Sequence, residues 1–207
     1  VLGSGGHAKV IIDILNALPE YQIIGITSTS LKLGELFCNY KVIGDDDQIY
    51  SLSKNGEIDE VLIGVGGYKD NNLRTSIFNK LTYKGIKIGS IIHPSAYLSE
   101  SAKIGEGTVI FPGVLINTDV VIGNNTIIAT GSIIDHETKI GNNVLISAGV
   151  TIGAYAEVKD NSLVALGAKI ISGITIGENA LIGAGAVIVG NVESGAKMFG
   201  VPGKKVI

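Results

Sequence analysis

Between Ile91 and Val192 the apolar positions recur every six residues. Counted from Lys103, the sixes read KIGEGT, VIFPGV, LINTDV, VIGNNT, IIATGS, IIDHET, KIGNNV, LISAGV, TIGAYA, EVKDNS, LVALGA, KIISGI, TIGENA, LIGAGA and VIVGNV, and IIHPSA and YLSESA carry the frame back to Ile91. Position two is Ile or Val in every hexad from Lys103 onward, and position six is small or β-branched. A period of six matches neither a helical face nor an alternating strand; it is the signature of a parallel β-helix. Each hexad supplies one short strand and one corner. Position two points inward and stacks on its equivalents, position six fills the remaining interior, and Gly, Asn and Asp at positions three to five suit corners where φ is positive. Three hexads close a triangular coil, so residues eighteen apart form columns. Such a repeat buries its core only by stacking on its neighbours, which accounts for the Ile column with no chemistry at all.

Ahead of the repeat the pattern changes. Val1-Leu2 reads as the end of a strand, Gly3-Ser4-Gly5-Gly6-His7 as a tight turn, and AKVIIDILNAL as a helix with Pro19 just beyond it. Tyr21–Thr27, the segment from Lys41 and Glu60–Gly66 read as further strands. Helices are expected at the Asp45-Asp46-Asp47 cluster and in the segment holding Arg74, and Ile86–Ile92 is the last strand. Alternating strands and helices predict a small parallel sheet with helices packed on it. The predicted fold is therefore an α/β N-terminal domain, residues 1–92, followed by a repeat domain, residues 93–207. After the repeat, Pro202 is expected to stop any further strand, with Lys204 and Lys205 solvated.

The remaining properties narrow the class. A net charge of −3 leaves no basic footprint for nucleic acid. Abundant Ile and Val argue against disorder, and the 29 glycines fit a stack of tight corners. The single Cys38 excludes an intrachain disulfide and fits a reducing compartment. No run approaches the ~20 apolar residues of a membrane-spanning helix, and no signal peptide is visible. The chain opens on Val1 inside an expected strand, so further residues are expected upstream.

Candidate chemistry falls in two places. The glycine-rich turn exposes backbone N–H groups at a helix N-terminus, either as a phosphate or sugar-nucleotide contact or simply as a tight βα turn. Thr27, Ser28, Thr29 and Ser30 stand where a dinucleotide-binding unit places a ribose-binding carboxylate. The three aspartates at 45–47 are read as helix caps rather than metal ligands. Arg74 and Lys69 are candidate partners of an acidic group, or ordinary surface charges. In the repeat, His136 stands at a corner position between Asp135 and Glu137. Histidine titrates near neutral pH and a carboxylate neighbour fixes its tautomer, which suits a general base; the other reading is an exposed corner histidine. Thr118, His136, Ala154 and Ser172 are predicted to share a column, setting the Ala154 N–H beside the histidine as a candidate oxyanion donor. Only His7, His93 and His136 are present, and the latter two fall in different columns, so no metal site is expected. There is no GxSxG elbow, no Cys nucleophile beside a histidine and no P-loop.

Taken together, GSGGHAKVIIDIL, KVIGDDD, the junction IIHPSAYLSESAKIGEGTVI, IIDHETKIG and the closing FGVPGKKVI resemble the sugar acyltransferases of the NeuD/PglD type, over the whole chain and in the right order. These belong to the hexapeptide-repeat, left-handed β-helix acyltransferases. The resemblance implies a small Rossmann-like domain that holds a sugar nucleotide, and a left-handed β-helix that binds acetyl-CoA as co-substrate without a metal. It implies a cytoplasmic homotrimer with active sites between neighbouring prisms, acting on a small-molecule sugar. On this chain His136 matches the catalytic base and Glu137 the residue that orients it. Ser4, Gly5, Gly6 and His7, with Gly66 and Gly67 at a strand end, match substrate-binding positions; Leu145, Ala154, Leu166 and Ala184 match coenzyme contacts. Two departures stand out: many relatives have a second histidine where this chain has Leu145, and members that bind a uridine nucleotide have acidic residues where this chain has Thr27-Ser28.

The expected activity is N-acetylation of a nucleotide-activated amino sugar, such as a 4-amino-4,6-dideoxy sugar, by direct transfer for cell-surface glycan synthesis. The alternative is O-acetylation of a sugar such as a sialic acid. A third reading is a trimerising stalk without enzymatic activity.

Overall fold

The computed structural model describes residues 1–67 and 70–206, and the chain forms two compact units, Val1–Ile91 and Ile92–Ile207. Lys69, a candidate cation, lies outside the described residues.

In the first unit, strand β1 (Ile26–Thr27) pairs in parallel with β3 (Tyr40–Gly44), and a short β2 (Leu36–Phe37) pairs antiparallel with β3. Leu2 makes parallel bridges to both Thr27 and Ile63, and Val61 bridges Ile88. Across the sheet the segments therefore run β3, β1, Leu2, Val61–Ile63, Ile88, the doubly wound order in which the first segment lies in the middle. Regular pairing along Tyr21–Thr27 and Glu60–Gly66 is shorter than expected, confined to Ile26–Thr27 in the first and to bridges at Val61 and Ile63 in the second. The β2–β3 hairpin was not expected; Cys38 and Asn39 form its two-residue turn with φ of 47° and 68°.

Helix α1 (Gly6–Asn16) buries Ala8, Ile11, Ile12, Ile14 and Leu15, the apolar stripe of an amphipathic helix. Helix α2 (Asp46–Lys54) starts from Asp45, whose side chain accepts the Asp47 N–H at 3.1 Å. Two further acids in its first turn complement the positive end of the helix. Helix α3 (Asn72–Tyr83) buries Arg74, Phe78 and Leu81, which share one face.

The second unit is a left-handed parallel β-helix. Two-residue strands recur at every hexad and stack in exact eighteen-residue register, as in Ile127↔Leu145 and Lys139↔Glu157. They form three faces. The first runs from Ile91–Ile92 to Leu181–Ile182, the second from Tyr97–Leu98 to Val187–Ile188, and the third from Lys103–Ile104 to Thr175–Ile176. Position-two residues such as Ile110, Ile128, Ile146 and Val164 are wholly buried. Hydroxyls at position six are satisfied inside the prism: Thr126 Oγ1 donates to Gly141 O at 2.9 Å, and Thr138 Oγ1 to Gly153 O at 3.0 Å.

The end of the chain departs from expectation. The frame slips by two residues within the last hexad, VIVGNV, so that Val192 bridges Ile176. Lys197–Phe199 then joins the first face, and Lys204–Val206 pairs antiparallel with it. Pro202 does not stop a further strand; it sits in the turn of this hairpin, outside the ladder, where a missing N–H costs nothing. Lys205 is paired with Glu193 at 2.6 Å rather than freely solvated.

Candidate active site

The prism has three corners, and in each hexad from Gly107 to Gly185 the fifth residue is left-handed. The corner between the first and second faces places Gly there, from Gly113 to Gly185. The corner between the third and first faces carries an asparagine ladder: Asn125 Nδ2 donates to Asn143 Oδ1 at 2.9 Å, and Asn143 Nδ2 to Asn161 Oδ1 at 3.2 Å. The corner between the second and third faces carries Asp119, Glu137, Tyr155 and Gly173 in one column. It also carries His136.

The local backbone of His136 is fixed from both sides. Asp135 Oδ1 accepts the His136 N–H at 2.8 Å and the Asn117 side-chain amide, one coil below, at 3.0 Å. The Glu137 N–H donates to Thr118 O, and the Tyr155 N–H to His136 O. The expected stacking of Thr118, His136 and Ala154 is therefore present in the ladder.

The imidazole is 38% exposed and projects from the prism, with Nδ1 3.1 Å from Glu137 Oε2. With the Nδ1 proton donated to that carboxylate, Nε2 keeps its lone pair and can accept a proton. The Glu137 carboxyl is held below its usual range, first by the Tyr155 hydroxyl and then by His136. Tyr155 lies edge-on to the imidazole, with ring centroids 5.1 Å apart at 86°. Sequence reasoning missed this tyrosine. Its signal was available: a bulky residue at a hexad position otherwise filled by Gly, Asn or Asp, apart from Glu137 itself.

Ala154 is buried directly above His136, and its N–H finds no acceptor among the described residues, whereas the His136 N–H is held by Asp135. Leu166 and Ala184 are exposed and share the glycine corner's column; Leu145 is buried on the first face, in register with Ile127 and Leu163. Among the described residues no group of His, Cys, Asp and Glu could hold a metal ion.

In the first unit the other candidates gather at one point. Leu2 and Ile63 are neighbours at the place where the strand order reverses, the point beyond whose strand carboxyl ends open α/β sheets bind ligands. Gly3 to His7 follow the first segment and Gly64 to Gly67 the second. The approach is close: a Cβ on Gly64 would lie 2.7 Å from Leu2 O, and one on Gly66 2.9 Å from His7 Cβ. Helix α1 begins at this point, with no side-chain cap on its first amides. Ser4, Ser28 and Ser30 form a hydroxyl cluster beside it, the Ser4–Ser28 oxygens 2.7 Å apart, while Thr27 Oγ1 is taken by Asp46 at 3.2 Å.

Arg74 is not an ordinary surface charge. It is 1% exposed, and Nη1 donates to Ile63 O at 2.7 Å and Val65 O at 2.8 Å, holding the strand end on which Gly66 follows. Its burial lowers its pKa to about 9. His7 keeps some solvent exposure, yet burial first and the Arg74 charge second push its pKa down to about 3. A neutral His7 with Nε2 3.4 Å from Arg74 Nη1 carries its proton on Nδ1.

Comparison with known proteins agrees with this division. Residues 1–81 match the PglD N-terminal domain, and residues 101–136 and 119–154 match the bacterial transferase hexapeptide (six repeats). A curated relative, the UDP-N-acetylbacillosamine N-acetyltransferase of Bacillus subtilis, is 30% identical over 107 residues; the match spans 52% of this chain and 48% of that protein. Among solved structures, a histidine-to-alanine mutant of the GDP-perosamine N-acetyl transferase from Caulobacter crescentus, in complex with CoA and GDP-perosamine, is 30% identical. It matches 100% of this chain and 95% of its own, with a TM-score of 0.90. The acetyltransferase domain of PglB from Neisseria gonorrhoeae, in complex with acetyl coenzyme A, is 29% identical over 99% of this chain and 97% of its own, with a TM-score of 0.88. Among the described residues no helix is long and apolar enough to cross a membrane.

Proposed function

The chain belongs to the NeuD/PglD-type sugar acyltransferases, and on that premise we propose that it transfers the acetyl group of acetyl-CoA to the amine of a nucleotide-activated amino sugar. The observation that carries the reading is the outward His136 with Nδ1 on Glu137, on a chain similar along its full length to an N-acetyltransferase solved with CoA and an amino-sugar nucleotide.

The chemistry is direct transfer. The sugar amine attacks the thioester carbonyl, forming the C–N bond and a tetrahedral oxyanion. His136 Nε2 takes the proton that the amine nitrogen sheds, and Glu137 stabilises the imidazolium. The Ala154 N–H faces the oxyanion. As the intermediate collapses the C–S bond breaks, and the imidazolium returns its proton to the departing thiolate, leaving an amide and free CoA. No nucleophilic side chain takes part, and general acid–base assistance of this kind contributes ~10²–10⁴-fold.

The glycine turn Ser4–His7 and the strand end Gly66-Gly67 hold the sugar nucleotide, with the amides of α1 toward its phosphates. Leu145, Ala154, Leu166 and Ala184 line the coenzyme's path. The assembly is a homotrimer with active sites between subunits. Outward residues Tyr97, Leu115 and Ile133 of the second face, and Val121 of the third, are 40% or more exposed and flank the His136 corner, an apolar stripe suited to burial against another prism. The setting is cytoplasmic, where acetyl-CoA is supplied, in cell-surface glycan synthesis.

The test is CoA-thiol release with UDP-, dTDP-, GDP- and CMP-linked amino sugars and free sialic acid, followed by mass analysis of the product. An amide on one amino-sugar nucleotide is expected. An ester on a sialic acid, with amino sugars untouched, would move the chain to the O-acetyltransferases.

A further inference from the structure

The left-handed fifth position of the hexads is occupied by Gly, Asn or Asp from Gly107 to Gly185 with two exceptions, Glu137 and Tyr155. A left-handed backbone costs a residue with a full side chain roughly 1–2 kcal/mol. The exceptions are not scattered. Tyr155 stands directly over Glu137 in the same column, between them they flank His136, and their φ values are 58° and 56°. Above and below in that column the chain reverts to Gly173 and Asp119. Strained residues that persist at one corner and not at its equivalents point to a function for their side chains.

Three contacts say what that function is. The Tyr155 ring meets the His136 ring edge to face, 5.1 Å between centroids. Its backbone N–H donates to His136 O at 3.1 Å, tying the two coils together at this point. Its hydroxyl interacts with the Glu137 carboxylate, lowering that carboxyl's pKa and having its own raised in return. Glu137 and the imidazole are both substantially exposed, so neither is held in place by burial.

We propose that Tyr155 is a positioning residue for the acyl-transfer base, packing against the His136 ring over Glu137 so that Nδ1 stays on Glu137 and Nε2 faces the acceptor. The imidazole N–H holds Glu137 Oε2, and the tyrosine hydroxyl favours the charged form of the same carboxylate, which a side chain this exposed does not hold by itself. The kinetic consequence rests on the acetyltransferase reading; the contact does not.

The experiment follows the Glu137 carboxyl by ¹³C NMR titration in the unliganded full chain, with steady-state rates in parallel, for wild type, Tyr155→Phe and Tyr155→Gly. In Tyr155→Phe the carboxyl should titrate at higher pH than in wild type, and kcat should fall about 2- to 10-fold, the share of one hydrogen bond, with KM for acetyl-CoA unchanged. Tyr155→Gly should melt at higher temperature because the strain is gone, yet lose more kcat than Tyr155→Phe. An unchanged Glu137 titration in Tyr155→Phe, or full kcat in Tyr155→Gly, would overturn the proposal. A wild-type protein with no acetyl transfer would sink the enzymatic reading instead, and the titration would still decide the Tyr155–Glu137 contact.

Discussion

Two corners of the same prism solve the same backbone problem in opposite ways. At the asparagine corner, Asn125, Asn143, Asn161 and Asn179 adopt φ between 54° and 60°, and the first three join side chain to side chain from coil to coil. Asparagine tolerates this conformation and its amides bond along the column, so the corner is built for stability. At the histidine corner the equivalent positions hold Glu137 and Tyr155, which tolerate it poorly, and the side chains face His136 instead of one another's amides. Identical geometry with costlier residues marks the corner where side-chain chemistry, rather than the fold, sets the choice.

The comparison can be broken from several directions. The largest effect is expected from Leu115→Arg, which places a charge in the middle of the apolar stripe beside the histidine corner. Light scattering should then give the mass of one chain, 21.4 kDa, with acetyl transfer lost; a mass unchanged from wild type would remove the stripe from the proposed interface. Next is Arg74→Leu, which leaves the Ile63 and Val65 carbonyls without their donor. At ~1–3 kcal/mol for each buried acceptor stranded, chemical denaturation should show the first unit unfolding well before the prism.

Glu137→Asn converts the histidine corner into a copy of the other. We expect kcat to fall by roughly 10- to 100-fold, the part of general-base assistance that depends on orientation, while the melting temperature holds or rises. Asn143→Ala is the mirror experiment: it puts alanine in a left-handed turn and cuts the ladder to Asn125 and Asn161, so stability should fall by about 1–2 kcal/mol with kcat unchanged. If both variants lost activity equally, the two corners would not differ in the way argued.

The smallest effect concerns pH. His7 has a folded pKa of about 3 against an ordinary 6.5, so the unfolded chain binds a proton that the folded one refuses. Its contribution to stability is intact above about 6.5 and is lost progressively as pH falls toward 3. Thermal melts of the first unit should show this loss, and His7→Gln should flatten it.

The prism could be read in the sequence almost completely, because a period of six leaves one register in which Ile and Val all point inward. His136 and Glu137 were legible for the same reason: the frame states which residues sit at corners. Tyr155 was legible in principle, as an exception to the frame, but its partner Glu137 lies eighteen residues away and only the stacked coil brings them together. Arg74 was harder. Its charge suggested a surface or a ligand, whereas its spacing from Phe78 and Leu81 on one helical face was the better guide to its burial. The Lys204–Val206 strand was hidden by Pro202, since the rule that proline ends strands does not forbid a hairpin that turns on it. The β2–β3 hairpin was hidden because Cys-Asn is a weak turn signal beside Asn-Gly.

The most direct test is the rate of thiol release from acetyl-CoA with the preferred amino-sugar nucleotide, measured for wild type and His136→Ala at the same pH. The account predicts a fall of ~10²–10⁴-fold in kcat with the melting temperature and the oligomeric mass unchanged. A His136→Ala protein that kept the wild-type rate would contradict it.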